Sequence, residues 1–243
     1  MGTLFIKEIK DFFSSVTGYL VVVVYLLINS MFMWIFRGSL NIFDIGLANI
    51  DTIFVISPWV FLFLVPAITM NMFAGELKSG TMELLLTRPL TEFHIVFAKY
   101  LASVVLVLIS LLPTLFYLLS INLLADPVGN VDFGAIFGSY IGLFFLAAVY
   151  SAIGLFASSL SKNAIISFLL SALLCYIFFL GFENLAFLAS SGKISDFIIS
   201  LGINDHYRSM SRGVIDTRDI VYFLSVISIF IFLTKLRLES RKW

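Results

Sequence analysis

Long uncharged, mostly apolar stretches alternate with short charged joints along the whole chain. The stretches free of Asp, Glu, Lys and Arg run over 12–36, 52–75, 100–125, 133–161, 163–182 and 220–234. A helix needs about 20 predominantly apolar residues to cross a bilayer, and the first five stretches supply them. The sixth is shorter, but Lys235 and Arg237 can snorkel at its end and Asp219 can mark its start. The runs are continuous rather than alternating, which excludes a closed β-barrel. The pattern predicts an all-α polytopic membrane protein with six transmembrane helices, at about 16–36, 53–74, 95–121, 136–160, 164–184 and 219–238. These form a single domain over 1–243, with a joint at 75–90 and a long loop at 185–218.

Composition agrees with the pattern and narrows it. Hydrophobic residues make up 60% of the chain and charged residues 12%, against roughly 25% charged in a soluble domain. Such a chain cannot cover a soluble surface. Its net charge is zero, so the total gives no reason to expect nucleic-acid binding. The single Cys175 excludes an internal disulfide and a cysteine metal cluster. His94 and His206 are far apart and lack metal-site spacing, so no metal site is expected. No small-residue cleavage site follows the first apolar run, which is therefore read as a retained span.

Lys and Arg in short flanking loops set the orientation. With six spans both termini share a side. That side holds Lys7, Lys10, Lys78, Arg88, Lys99, Lys162, Lys235, Arg237, Arg241 and Lys242, while the other holds Arg37, Lys193, Arg208, Arg212 and Arg218. The termini are expected in the cytoplasm, and so is the joint "GELKSGTMELLLTRPLTEF".

That joint is unusual for so apolar a chain. Gly80 and Pro89 punctuate it, and Thr91 with Glu92 reads as the N-terminus of the third span. Leu90 and Ile95 have the spacing of a hydrophobic staple. Residues 76–88 read as one or two short helices at the membrane face, with Glu76 and Glu83 on one face and Leu85 and Leu86 largely on another. By pattern alone, an interfacial helix resting on headgroups is the default reading. Such helices favour Lys and Arg on the polar face, however, and carboxylates suit a basic protein partner better. The N-terminal "LFIKEIKDFFSS" also reads as an amphipathic in-plane helix, with Phe5, Ile9, Phe12 and Phe13 at helical spacing and an anchoring role.

Gly134, Gly138 and Gly142 recur every four residues, a spacing that lets helices approach closely, within the chain or in a dimer. Pro66 and Pro113 each free a backbone carbonyl and predict kinks. In the long loop, Phe197, Ile198 and Leu201 form a short apolar face, and His206 reads as a surface or capping residue.

Chemistry-bearing motifs are absent. No span carries a charge near its middle, as ion-coupled carriers normally do, and no inverted repeat is evident. No phosphate-binding loop, zinc motif or nucleophile elbow occurs, so no catalytic residue is assigned. Uphill transport would need energy from another subunit, and the joint at 75–90 is where it would dock. A passive channel or ion-driven carrier, and a membrane assembly scaffold, remain the alternatives.

The sequence Glu76-x-x-x-Gly80-Thr81-x-Glu83-x-Leu85-Leu86, followed by Pro89, resembles the cytoplasmic coupling segment of the type 2 ABC exporter permeases. Six spans, an N-terminal in-plane helix and a loop before span six extend the likeness over the whole chain. "FFSSVTGYL", "SPWVFLFLVPAITM", "GNVDFGAIFGSYIGLFFLAA" and "SRGVIDTRDIVYFLS" resemble the gliding-motility-associated permeases of Bacteroidetes. The resemblance implies a permease subunit of the inner membrane with no cofactor of its own. ATP and Mg would be bound by a separate cytoplasmic ABC ATPase, and the permease would pair with a second copy or a related subunit. It leaves the cargo unidentified.

The topology makes a direct prediction. With Cys175 replaced, a cysteine at Val128 is expected to react with an impermeant thiol reagent from outside intact cells, and one at Ser79 only from inside. Labelling of position 79 from outside would invert the topology.

Overall fold

The computed structural model describes residues 1–86, 91–188 and 192–240, without the side chains of 84–86 and 188. The described residues hold no strand, and six helices are long and apolar enough to cross a membrane. In chain order the elements are α1 (Gly2–Ser14), α2 (Val16–Ile35), α3 (Asp51–Ser79), α4 (Thr81–Leu86), α5 (Glu92–Leu124), α6 (Phe133–Leu160), α7 (Ala164–Phe187), α8 (Gly192–Ile199), α9 (Ile203–Met210) and α10 (Thr217–Glu239). The spans are α2, α3, α5, α6, α7 and α10.

Capping residues set several boundaries. Ser15 is extended, which ends α1, and its hydroxyl accepts the Gly18 N–H to start α2. The elbow is tight. Any Cβ on Gly18 would run into the Phe12 carbonyl, so glycine is needed where the two helices meet. Thr91 caps α5 by accepting the His94 N–H at 3.4 Å. Leu90, the other half of the proposed staple, lies outside the described residues. Asp132 and Asp216 cap α6 and α10 in the same way.

The two prolines singled out from sequence behave differently. Pro113 sits in a 3-10 turn, Leu112–Thr114, within α5. The Thr114 hydroxyl donates to the Leu111 carbonyl at 2.7 Å and pairs with the Tyr140 hydroxyl at 2.8 Å. Pro66 lies inside unbroken α-helix, as does Pro58.

α6 is the hub, and it packs against α3, α7, α10, α5 and α9. Its buried face is rich in Gly, Ala and Ser, which lets neighbouring backbones come close without a water-driven hydrophobic effect. At Gly154 a Cβ would collide with the Thr69 hydroxyl of α3. At Gly142 it would come within 2.8 Å of Met210, and at Gly138 it would meet the backbone of Gly213. Gly138 and Gly142 are thus filled by α9 and the turn after it. This removes them as contacts for a second copy, the alternative their spacing had left open. Gly134 makes no such contact and meets only its own cap, Asp132.

The stretch read as a loop at 185–218 is mostly helical. α7 continues to Phe187, and α8 and α9 follow. The helical pattern was hidden because these elements are short and partly polar. α9 is tied inward at the end opposite α1, where the buried Tyr207 hydroxyl donates to the Phe54 carbonyl of α3 at 2.7 Å.

Overpacking a close-packed site typically costs about 1–3 kcal/mol. Gly154→Val is therefore expected to lower the thermal midpoint of the purified protein in detergent, whereas Gly134→Ala leaves it nearly unchanged. Equal melting of the two variants would contradict the α3–α6 packing.

Candidate functional site

The joint at 75–90 begins inside a span rather than after it. α3 has 29 residues, about 43 Å at helical rise, and so outruns a hydrocarbon core of about 30 Å. Glu76 therefore lies in the last turns of α3. Gly80, at φ 73°, is the left-handed residue that ends the helix. The chain restarts as α4, which carries Thr81, Glu83, Leu85 and Leu86.

This break overturns the reading that Glu76 and Glu83 share one helical face. Glu83 is exposed on α4. Glu76 is turned inward and is 8% exposed. The physical reason is a pair of lysines. The Glu76 Oε1 lies 3.0 Å from the Lys99 Nζ of α5 and 3.1 Å from the Lys7 Nζ of α1. A lone buried carboxylate would be costly, and two ammonium groups offset that cost.

Lys99 is the centre of this cluster and is fully buried. An ammonium has three N–H donors, and three acceptors surround it. They are the Glu8 Oε1 at 2.6 Å, the Glu76 Oε1 at 3.0 Å and the Met72 carbonyl at 2.7 Å. The Phe73 ring lies 5.3 Å from the same nitrogen, within cation–π range. Glu8 is 8% exposed. Lys7, half exposed, borders the cluster near Glu8, Asp11 and Glu76. Burial disfavours the Lys7 ammonium, but Glu8, then Glu76 and Asp11, outweigh it and hold its pKa above the ordinary lysine value.

The other predicted residues take supporting places. The Thr81 hydroxyl pairs with the Ser79 hydroxyl at 2.8 Å, just across Gly80. Met82, 3% exposed, anchors α4 to the core. Leu85 and Leu86 continue α4 in backbone, and Pro89 lies outside the described residues. The end of α3 is also held by α6. The Ser158 hydroxyl donates to the Met70 carbonyl at 2.9 Å and accepts the N–H groups of Phe73 and Ala74, each at 3.1 Å.

Sequence reasoning missed Glu8 and Lys99. Lys99 had been counted as a loop-flanking charge, yet it shares a helical face with Ile95, Ala102 and Ser103, all fully buried. Glu8 stands four residues after the buried Leu4, so both lie on one face of α1. A charge in register with apolar and small residues was the available signal.

At the opposite end, His206 is more than a surface residue. Its Nδ1 is 2.7 Å from the Asp219 Oδ1 and its Nε2 is 2.9 Å from the Ser200 carbonyl. Its ring stacks on Tyr222 with centroids 3.9 Å apart. It clasps α9 to the start of α10. Nearby, a cavity of about 700 Å³ lies between α3, α6 and α9, lined by Asp51, Asp132, Arg208, Arg212, Trp59 and Tyr207 among others.

The cluster around Lys99 joins α1, α3 and α5 through charge. Removing one partner of a buried pair typically costs about 3–5 kcal/mol, because the other is left uncompensated. Lys99→Met is therefore expected to lower the thermal midpoint strongly, and adding Glu8→Gln and Glu76→Gln to recover part of the loss. A single variant that melts like the wild type would show that the cluster contributes no stability.

Comparison with known proteins places this geometry in a family. A search of curated proteins found no match. The family model described as ABC-2 family transporter protein matches residues 3–243. With nearly its whole length matched and six membrane-crossing helices, the chain belongs to the ABC-2 family of transporter proteins.

Proposed function

We propose that this chain is the transmembrane permease subunit of an ATP-driven exporter of the inner membrane. Both termini and the 75–90 joint face the cytoplasm, where a separate ABC ATPase subunit binds ATP and Mg and docks on α4. A second copy, or a related permease, completes the pore. The likeness to the F subunit of the gliding-associated Gld transporter makes a role in gliding or envelope export the narrower form of this reading.

Family membership supports the class, and one arrangement carries the docking site. Glu83 is exposed on α4, one short step past the Gly80 break, while Met82 fixes that helix to the core. A partner that grips Glu83 and the exposed side of α4 pulls on a rigid unit. Beyond Gly80 the pull reaches Glu76 and the paired lysines, and so α1, α3 and α5 together. ATP shifts the transporter between states only if the ATPase makes different contacts in each, and α4 is the part placed to provide them.

The ATPase expected here is identifiable by co-purification with the tagged permease. Glu83→Lys is expected to weaken its capture about tenfold, or about 1.4 kcal/mol, and to lower permease-stimulated ATP turnover while the chain still inserts. Glu92→Ala, at the start of α5, serves as the control and is expected to have the smaller effect. Unchanged capture and turnover in Glu83→Lys would move the docking site away from α4.

A further inference from the structure

The cavity of about 700 Å³ at the end opposite α1 carries charges of both signs. Four elements of the one chain wall it, α3, α6, α7 and α9. Arg208 of α9 and Arg212, about one turn further on, supply the positive side. Asp51, in the first turn of α3, and Asp132, the cap of α6, supply the negative side. These residues stand at the ends of spans rather than along them, so the cavity faces water and not hydrocarbon.

The two signs do not close on each other. Among the described residues, neither aspartate has an oxygen within 4.0 Å of either guanidinium. Each carboxylate is held by its own element. The Asp132 Oδ1 accepts the Ala135 N–H at 3.0 Å, and the Asp51 Oδ2 accepts from the Asn49 amide at 3.1 Å. The second oxygen of each has no partner among the described residues. The Arg208 Nη1 reaches Glu183 at 3.6 Å, which is too long for a hydrogen bond. The Arg212 guanidinium has no acceptor among the described residues. Two guanidinium forks and two carboxylate oxygens therefore remain for a ligand.

The base between them is apolar and fixed. Phe54, Phe179 and Tyr207 are no more than 3% exposed. Trp59 closes one side and meets Phe179 edge to face, with centroids 6.1 Å apart. Phe179 packs in turn on Tyr207, whose hydroxyl is tied to the Phe54 carbonyl. A base that is already packed loses little freedom on binding. Small-molecule sites are mostly apolar cavities of about 300–1,000 Å³ with a few placed polar groups, and this cavity has that form.

We propose that the cavity binds a short peptide with both termini free and an apolar side chain. The peptide carboxylate takes N–H groups from Arg208 and Arg212. Its ammonium pairs with Asp51 and Asp132, and its side chain rests on Phe179 and Tyr207. Two charges of each sign favour a zwitterion over a simple anion or cation. A zwitterionic lipid headgroup offers the same charges, but its acyl tails lie in hydrocarbon and leave the aromatic base unfilled. The site does not rest on docking at α4, which lies at the other end of the spans. Glu83→Lys is therefore expected to leave peptide binding unchanged.

The test is isothermal titration calorimetry of the full chain, with any bound partner subunits, in a maltoside detergent. The probe is the tripeptide Ala-Phe-Ala, expected to bind saturably below about 1 mM. Amidating its C-terminus and acetylating its N-terminus are each expected to weaken binding about fivefold, the size of one exposed ion pair. Arg208→Gln with Arg212→Gln is expected to erase the effect of amidation, and Asp51→Asn with Asp132→Asn the effect of acetylation. Asparagine at 132 still caps α6. With Trp34→Phe and Trp243→Phe in place, Trp59 is the remaining tryptophan. A nitrophenylalanine form of the peptide is then expected to quench its emission over the range that saturates calorimetry. No saturable binding, or capped peptides that bind as tightly as the free one, would overturn the proposal. An amidation effect that survives loss of both arginines, or unquenched Trp59 at saturation, would overturn the location. Tighter binding of dihexanoyl-phosphatidylethanolamine in competition with the peptide would assign the cavity to a lipid headgroup instead.

Discussion

A fully buried ammonium can persist only if each of its N–H groups finds an acceptor. Lys99 donates to the Glu8 carboxylate of α1 and the Met72 carbonyl of α3, and it pairs in charge with Glu76 of α3 at 3.0 Å. The convergence fixes more than one charge. α1 is amphipathic, and its apolar side alone would let it slide along a membrane surface. With Glu8 held by Lys99, and with the Gly18 elbow pressed on Phe12, α1 has one position. The last turns of α3 are set by the same nitrogen.

α3 is held at both ends, and α6 provides the wall between them. Near the α1 end the Ser158 hydroxyl reaches into the α3 backbone. At the other end Tyr207 bonds to the Phe54 carbonyl. Between these points Gly154 lets α6 lie directly on Thr69. α3 is thus a long element with fixed contacts along its length, and its final glycine passes directly into α4. The start of α4 therefore adjoins a charge network and a packed helix. This suits a family whose members are membrane-spanning parts of transporters.

A cavity of about 560 Å³ beside α1 adjoins that network. Asp11 and Lys7 lie at its mouth, and Lys7 also touches Glu76.

Much of the fold was legible because it is local. Whether a run crosses a bilayer depends on its own length and polarity, and caps such as Thr91 depend on neighbours three residues away. The exposed position of Glu83 and the break at Gly80 are similarly short-range. What the sequence by itself determined was the all-α class, the number of membrane-crossing helices and the family-like joint after the second span. The tertiary structure alone decided that Glu76 turns inward, that Lys99 is buried rather than flanking, that Gly142 receives α9 and Gly138 the turn after it, and that His206 meets Asp219. Glu8 and Lys99 are 91 positions apart. No local pattern encodes such a pairing, because its energy exists only after separate helices have packed and excluded water from the charges between them.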